Sequence, residues 1–124
     1  MGNLLRVFNA NEMPWQTHPT VSTILLKAFE NRASQVGYDA VLVQLRPNAR
    51  IDWHVHPEST ETIYIVQGQG AIYGVATEPE KISAKGSPLL VGTVVTIPIG
   101  LHHAVDNQGT EDLLIFAFHS PATV

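Results

Sequence analysis

A chain of 124 residues that is 44% apolar can fill a core, which excludes a disordered polymer, and its length fits one domain. The net charge is −4 and the seven Lys and Arg residues are scattered, so no basic patch addresses nucleic acid or an anionic membrane surface. Cysteine is absent, which removes disulfides, thiolate metal sites and cysteine nucleophiles together and leaves nitrogen and oxygen to bind any metal.

The start of the chain, Met1-Gly2-Asn3-Leu4-Leu5-Arg6, has neither the charged opening nor the long apolar stretch of a secretory signal. Arg6 stands where a myristoylation motif requires Ser or Thr. The longest wholly apolar run, Leu113 to Phe118, is too short to span a bilayer, so a soluble, cytoplasmic protein is expected. His18 sits in a proline-flanked segment and is assigned no role.

Thr23 to Arg32 carries Leu25–Phe29 and Ile24–Ala28 at helical spacing, but Val21, Thr23 and Ile24 favour extended backbone. It is read as a strand. Ala40 to Leu45 is a second, ending at Arg46-Pro47-Asn48. In His54-Val55-His56, side chains two apart on a strand share a face, so both imidazoles point the same way, with Trp53 and Val55 on the other. Pro57 to Thr60 reads as a turn, and Glu61 opens the strand Thr62 to Val66. Gly68-Gln69-Gly70 turns that strand into Ala71 to Val75.

Further on, Glu78 to Lys81 and Lys85-Gly86-Ser87-Pro88 act as punctuation around Ile82-Ser83. Val94 to Ile97 leads into the turn Pro98-Ile99-Gly100, which delivers His103, and Asn107-Gln108-Gly109 forms the next turn. Leu113 to His119 is the final strand. Short apolar runs separated by Gly and Pro are the pattern of an all-β sandwich or barrel.

These spacings resemble the two motifs of the cupin superfamily. His54, His56, Glu61 and Gly68 fit the first, over residues 48–68, and Gly92, Pro98, Gly100, His103 and Asn107 fit the second, over residues 92–107. The one departure is Asn48, which stands in place of the first motif's opening glycine; Asn also tolerates left-handed backbone angles. The resemblance implies a single small antiparallel β-barrel (a double-stranded β-helix, or jelly roll) over 1–124. It further implies that His54, His56, Glu61 and His103 ligate one metal ion. Three neutral imidazoles and a carboxylate suit a divalent transition metal (Mn, Fe, Co, Ni, Cu or Zn) and are too rich in nitrogen for Mg or Ca. Four protein ligands leave up to two octahedral positions open for substrate.

Two near neighbours compete with these ligands. Glu58 is read as a solvated turn residue, because only Glu61 keeps the motif's distance to Gly68. His102 and His103 must face opposite sides of a strand, and the spacing selects His103. His119 ends the last strand and strand alternation offers it the cavity, but it is not assigned to the site. Gln44, Arg46, Tyr64 and Tyr73 are read as packing or surface.

The expected function is a metal-dependent enzyme on a small organic molecule, with dioxygenase, isomerase or epimerase, decarboxylase and lyase types all implied by the resemblance. A non-catalytic protein that binds a small sugar or carboxylate is the alternative. A storage role is disfavoured, because storage cupins pair two barrels and have generally lost their ligands. Charged residues make up only 15% of the chain against about 25% in soluble domains, so a homodimer is expected to cover part of the surface.

Overall fold

Residues 4–124 are described by a computed structural model, and the reading of Met1 to Asn3 lies outside the described residues. The strands in chain order are β1 (Gln16–Thr17), β2 (Ile24–Glu30), β3 (Asp39–Leu45), β4 (Arg50–His54), β5 (Thr60–Gln67), β6 (Gly70–Val75), β7 (Ser87–Leu89), β8 (Val94–Ile97), β9 (His102–Asn107) and β10 (Leu113–Ser120). They form a six-stranded sheet in the order β1-β2-β3-β10-β5-β8 and a four-stranded sheet in the order β4-β9-β6-β7. Every pairing is antiparallel. This is the jelly-roll arrangement expected, and no helix among the described residues is long and apolar enough to cross a membrane.

Period-two alternation places the core between the sheets. Along β10, Leu113, Ile115, Ala117 and His119 are buried while Phe118 and Ser120 are exposed. Leu45, Ile65 and Leu113 from one sheet and Leu89 from the other are fully buried. Each such side chain contributes about 1.5–3 kcal/mol by leaving water.

The ambiguous stretch Ile24–Glu30 is a strand, as read, and the reason for its mixed signal is visible. Ile24 lies in the core, while on the same strand Phe29 stacks on Phe116 at 5.8 Å and Lys27 is buried over the Trp15 ring at 4.5 Å. A strand covered on both faces loses the alternation that marks a half-buried one.

One local reading needs correction. Lys85 to Pro88 is not wholly punctuation, since Ser87–Leu89 pairs with β6. Pro88 is tolerated there because β7 is an edge strand, whose outward N–H side has no partner to lose. Gly68-Gln69-Gly70 turns β5 into β6 as expected, and there the chain passes from one sheet to the other. Gly68 has φ +84°, and a Cβ there would stand 2.5 Å from the Asp112 carbonyl oxygen, so the crossing requires glycine. Asn48 adopts φ +69°, the left-handed angle anticipated for a glycine substitute.

Candidate metal centre

The four motif side chains arrive from both sheets. β4 and β9 run antiparallel with Ile51 opposite Val105, and after a break in register His54 lies opposite His103. His56 lies just past the end of β4, so a shared strand face accounts for its direction only in part. Its carbonyl oxygen accepts the Gly100 N–H at 3.0 Å, which ties it to the turn before His103. Glu61 comes from β5 in the other sheet.

One ligand atom from each of His54, His56, Glu61 and His103 lies within 4.8 Å of all the others. His103 Nε2 is 3.1 Å from Glu61 Oε1 and His56 Nε2 is 3.4 Å from the same oxygen. Ligands at right angles around one ion with bonds of about 2.1 Å stand about 3 Å apart, so these separations suit a common centre. The His54 ring lies 4.0 Å from that of His103 and 5.0 Å from that of His56.

Backbone carbonyls orient two of the rings. His54 Nδ1–H donates to the Asp52 carbonyl at 2.8 Å, and His103 Nδ1–H donates to the Leu101 carbonyl at 3.0 Å. Each ring thereby turns Nε2 inward, and His103 Nε2 meets Glu61 Oε1 there. His56 Nε2 is buried without a hydrogen bond: it is near Glu61 but out of line with it. An unpartnered buried imidazole nitrogen beside further imidazoles and one carboxylate is what a metal ion would satisfy.

Burial pushes the His54 pKa down, the Asp52 carbonyl opposes this, and neighbouring His103 and His56 add to the fall; the net shift is downward. Burial alone would raise the Glu61 carboxyl, but His103, His119 and His56 together hold it far below the usual carboxylate range. Glu61 is therefore an anion among imidazoles.

Sequence reasoning passed over two residues that belong to this neighbourhood. His119 lies across from Glu61 in the β10–β5 pair, its ring 4.5 Å from that of His56 and its Nε2 3.2 Å from Glu61 Oε2. Its Nδ1–H donates to Asp39 Oδ1 at 2.6 Å, and Asp39 Oδ2 accepts both the N–H and the hydroxyl of Thr123 at 2.7 Å. Asp39 is 2% exposed. Alternation along β10 was the available signal for His119, whereas nothing local marks Asp39. His18, given no role, lines the cavity beside the cluster.

The rejected candidates stay apart. Glu58 is exposed, and His102 faces away from His103, paired with Val75 on β6. Gln44 donates to Asp112 at 3.2 Å, Tyr73 to Asp106 at 3.1 Å, and Arg46 and Tyr64 are exposed. Asn107 is a clamp: its amide donates to the Leu45 and Glu111 carbonyls, each at 2.9 Å, and its oxygen accepts the Gly109 N–H at 2.8 Å.

A cavity of about 160 Å³ opens beside His54, His56, Glu61 and His119. A larger one, about 360 Å³, lies on the outer face of the six-stranded sheet between Phe8, Phe29, Phe116 and Phe118, among side chains with no ligating cluster.

Known proteins supply the remaining observation. The family model described as Cupin matches residues 7–123. A germin-like protein from Morus alba is 27% identical over 119 residues, covering 93% of this chain and 56% of its own length. Polyketide synthase CurC from Streptomyces cyaneus is 30% identical over 80 residues, 64% of this chain and 47% of that protein. The chain thus spans about half the length of these curated relatives. A predicted oxalate decarboxylase from Thermotoga maritima superposes with a TM-score of 0.78 at 19% identity, over 93% of this chain and 98% of that one, a likeness of fold.

Proposed function

The chain belongs to the cupin family, and from that premise we propose that it is a metal-dependent enzyme acting on a small organic molecule, of dioxygenase, isomerase or epimerase, decarboxylase or lyase type. The observation that carries the proposal is the convergence of His54, His56, Glu61 and His103 within 4.8 Å. These four residues would hold one divalent transition-metal ion among Mn, Fe, Co, Ni, Cu and Zn. When bound, such an ion acts as a Lewis acid on a substrate oxygen.

The rest falls to the chain's own groups. The Asp52 and Leu101 carbonyls keep His54 and His103 aimed at the centre, and the low pKa of His54 keeps its lone pair free. Glu61 contributes the one negative charge, and Asp39 holds His119 against the Glu61 oxygen that faces away from His103. The aliphatic barrel interior lowers the local dielectric and strengthens every one of these interactions.

We further propose a homodimer. Tyr64, Val66, Val94 and Phe118, exposed on the outer face of the six-stranded sheet, support it, as an apolar patch of this kind calls for a cover. Light scattering on the purified protein tests this, and a monomer at all concentrations would refute it.

The test of the metal centre is metal analysis of the protein as isolated, beside His54→Ala and His103→Ala. About one equivalent per chain is expected in the parent and a large loss in both variants, because each removes one of four ligands. Unchanged metal content in either variant overturns the ligand set. A metal-loaded protein that stays inert with hydroxy-keto acids, enols, catechols and sugars overturns the enzyme, and a ligand bound tightly and released unchanged replaces it with a binding protein.

A further inference from the structure

We infer that the molecule taken up beside the metal centre is small and has an aliphatic body, meeting the metal through one polar head, and that it is neither a di-acid nor a free sugar. This deepens the metal-centre proposal above and rests on it. The cavity, about 160 Å³, lies below the roughly 300 Å³ at which ordinary ligand pockets begin. The space further inward, against His103, adds only about 40 Å³.

The lining is of two kinds. Its polar members are the imidazoles of His18, His54, His56 and His119 and the Glu61 carboxylate. The rest is Ile24, Leu26, Val41, Val43, Ile51 and Ala117, from four different strands. Among the described residues, no Lys, Arg, Ser, Thr, Asn or Gln lines the cavity. A sugar has hydroxyls all round, and those turned to the aliphatic wall would lose water without gaining a partner. A second carboxylate would meet the same wall with no cation to pair it. Arg32 and Lys85 line other clefts, which touch His56 and His103, and the Arg32 guanidinium already donates to the Ala122 and Thr123 carbonyls. An isopropyl or similar group gains from the wall what each polar tail loses.

The experiment compares three ligands that share a 2-oxo-carboxylate head and differ only in the tail: 3-methyl-2-oxobutanoate (branched aliphatic), hydroxypyruvate (hydroxyl) and oxaloacetate (second carboxylate). Each is titrated into the cobalt(II)-loaded protein and followed by the cobalt absorption bands. The branched ligand is expected to bind at least about tenfold more tightly than the other two, the discrimination an apolar pocket gives for a methylene or more. Equal affinities, a reversed order, or no binding of any of the three overturns the inference while leaving the metal centre standing. If the protein takes up no cobalt, the metal-centre proposal itself fails, and the substrate class falls with it. Val43→Thr keeps the shape of the wall and adds a hydroxyl, with Ala117→Ser as the milder variant. Each folded variant, checked by its thermal transition, is expected to narrow the preference at least threefold, and a preference unchanged in both overturns the role given to the wall.

Discussion

His119 and Glu61 face each other across the β10–β5 pair, with His119 Nε2 3.2 Å from Glu61 Oε2 and His119 Nδ1–H given to the buried Asp39. Glu61 thus has two differently employed oxygens: Oε1 lies toward His56 and His103, and Oε2 toward His119. Removing the imidazole frees the carboxylate to turn. His119→Ala is expected to weaken metal binding about 10- to 100-fold, the range seen when a ligand's supporting partner is lost. Competition with a chromogenic chelator measures it. Asp39→Asn, which leaves the ring but changes what holds it, is expected to fall between the parent and His119→Ala. Parent-like affinity in both variants would remove His119 from any positioning role.

Asn107 marks where the second motif serves the fold. Its side chain satisfies the buried Leu45 carbonyl and the Glu111 carbonyl while accepting the Gly109 N–H. Asn107→Ala leaves the Leu45 carbonyl unsatisfied, so a loss of about 1–3 kcal/mol is expected in urea unfolding. The His54–His103 approach depends on β9, of which Asn107 is the last residue, so metal affinity is expected to fall only secondarily.

Asn48 tests the one departure from the family pattern. At φ +69°, Asn48→Val should cost about 1–2 kcal/mol, since a β-branched side chain crowds the carbonyl in left-handed backbone. Asn48→Gly should leave stability within about 0.5 kcal/mol, the lost strain offset by a freer unfolded chain. Denaturant midpoints decide both, and an Asn48→Val protein as stable as its parent contradicts the account.

Glu30 gives a pH dependence remote from the metal centre. Its carboxylate accepts from the Arg6 guanidinium at 2.8 Å, and this bond holds its pKa below the ordinary value of 4.5, against burial and with help from the Ser34 hydroxyl. A lowered folded pKa means that the unfolded chain binds the proton more readily. The stabilisation is therefore complete above pH 4.5, and it is lost as pH falls through the lower folded value. Amide exchange around Phe8, which packs on Phe29 and lies under Arg6, is expected to quicken over that acid window. Glu30→Gln should flatten the dependence; an unaltered acid profile in that variant would show that another group is responsible.

Legibility followed the range of the interactions. The convergence of His54, His56, Glu61 and His103 was implied by the resemblance to the two cupin motifs, whose spacing to turn-forming Gly68, Pro98 and Gly100 is local and so visible in the sequence. The strand Ile24–Glu30 was readable from β-branching, although its double coverage hid the alternation. His119 was harder, because its meeting with Glu61 depends on the register of β10 against β5, set by core packing across 58 positions of sequence. Asp39 was harder still: its partners His119 and Thr123 lie 80 and 84 residues away. The edge strand Ser87–Leu89 was masked by a proline that only an edge admits.

The ligand cluster draws on β4 and β9 in the four-stranded sheet and on β5 in the six-stranded sheet. An ion seated there would act as a rivet through both layers of the sandwich. Prising the layers apart would mean breaking coordination bonds as well as exposing Ile63, Ile97 and Val105 around them. Opening of the layers would then require loss of the ion, and solvent exchange deep in both sheets would slow when the metal is bound.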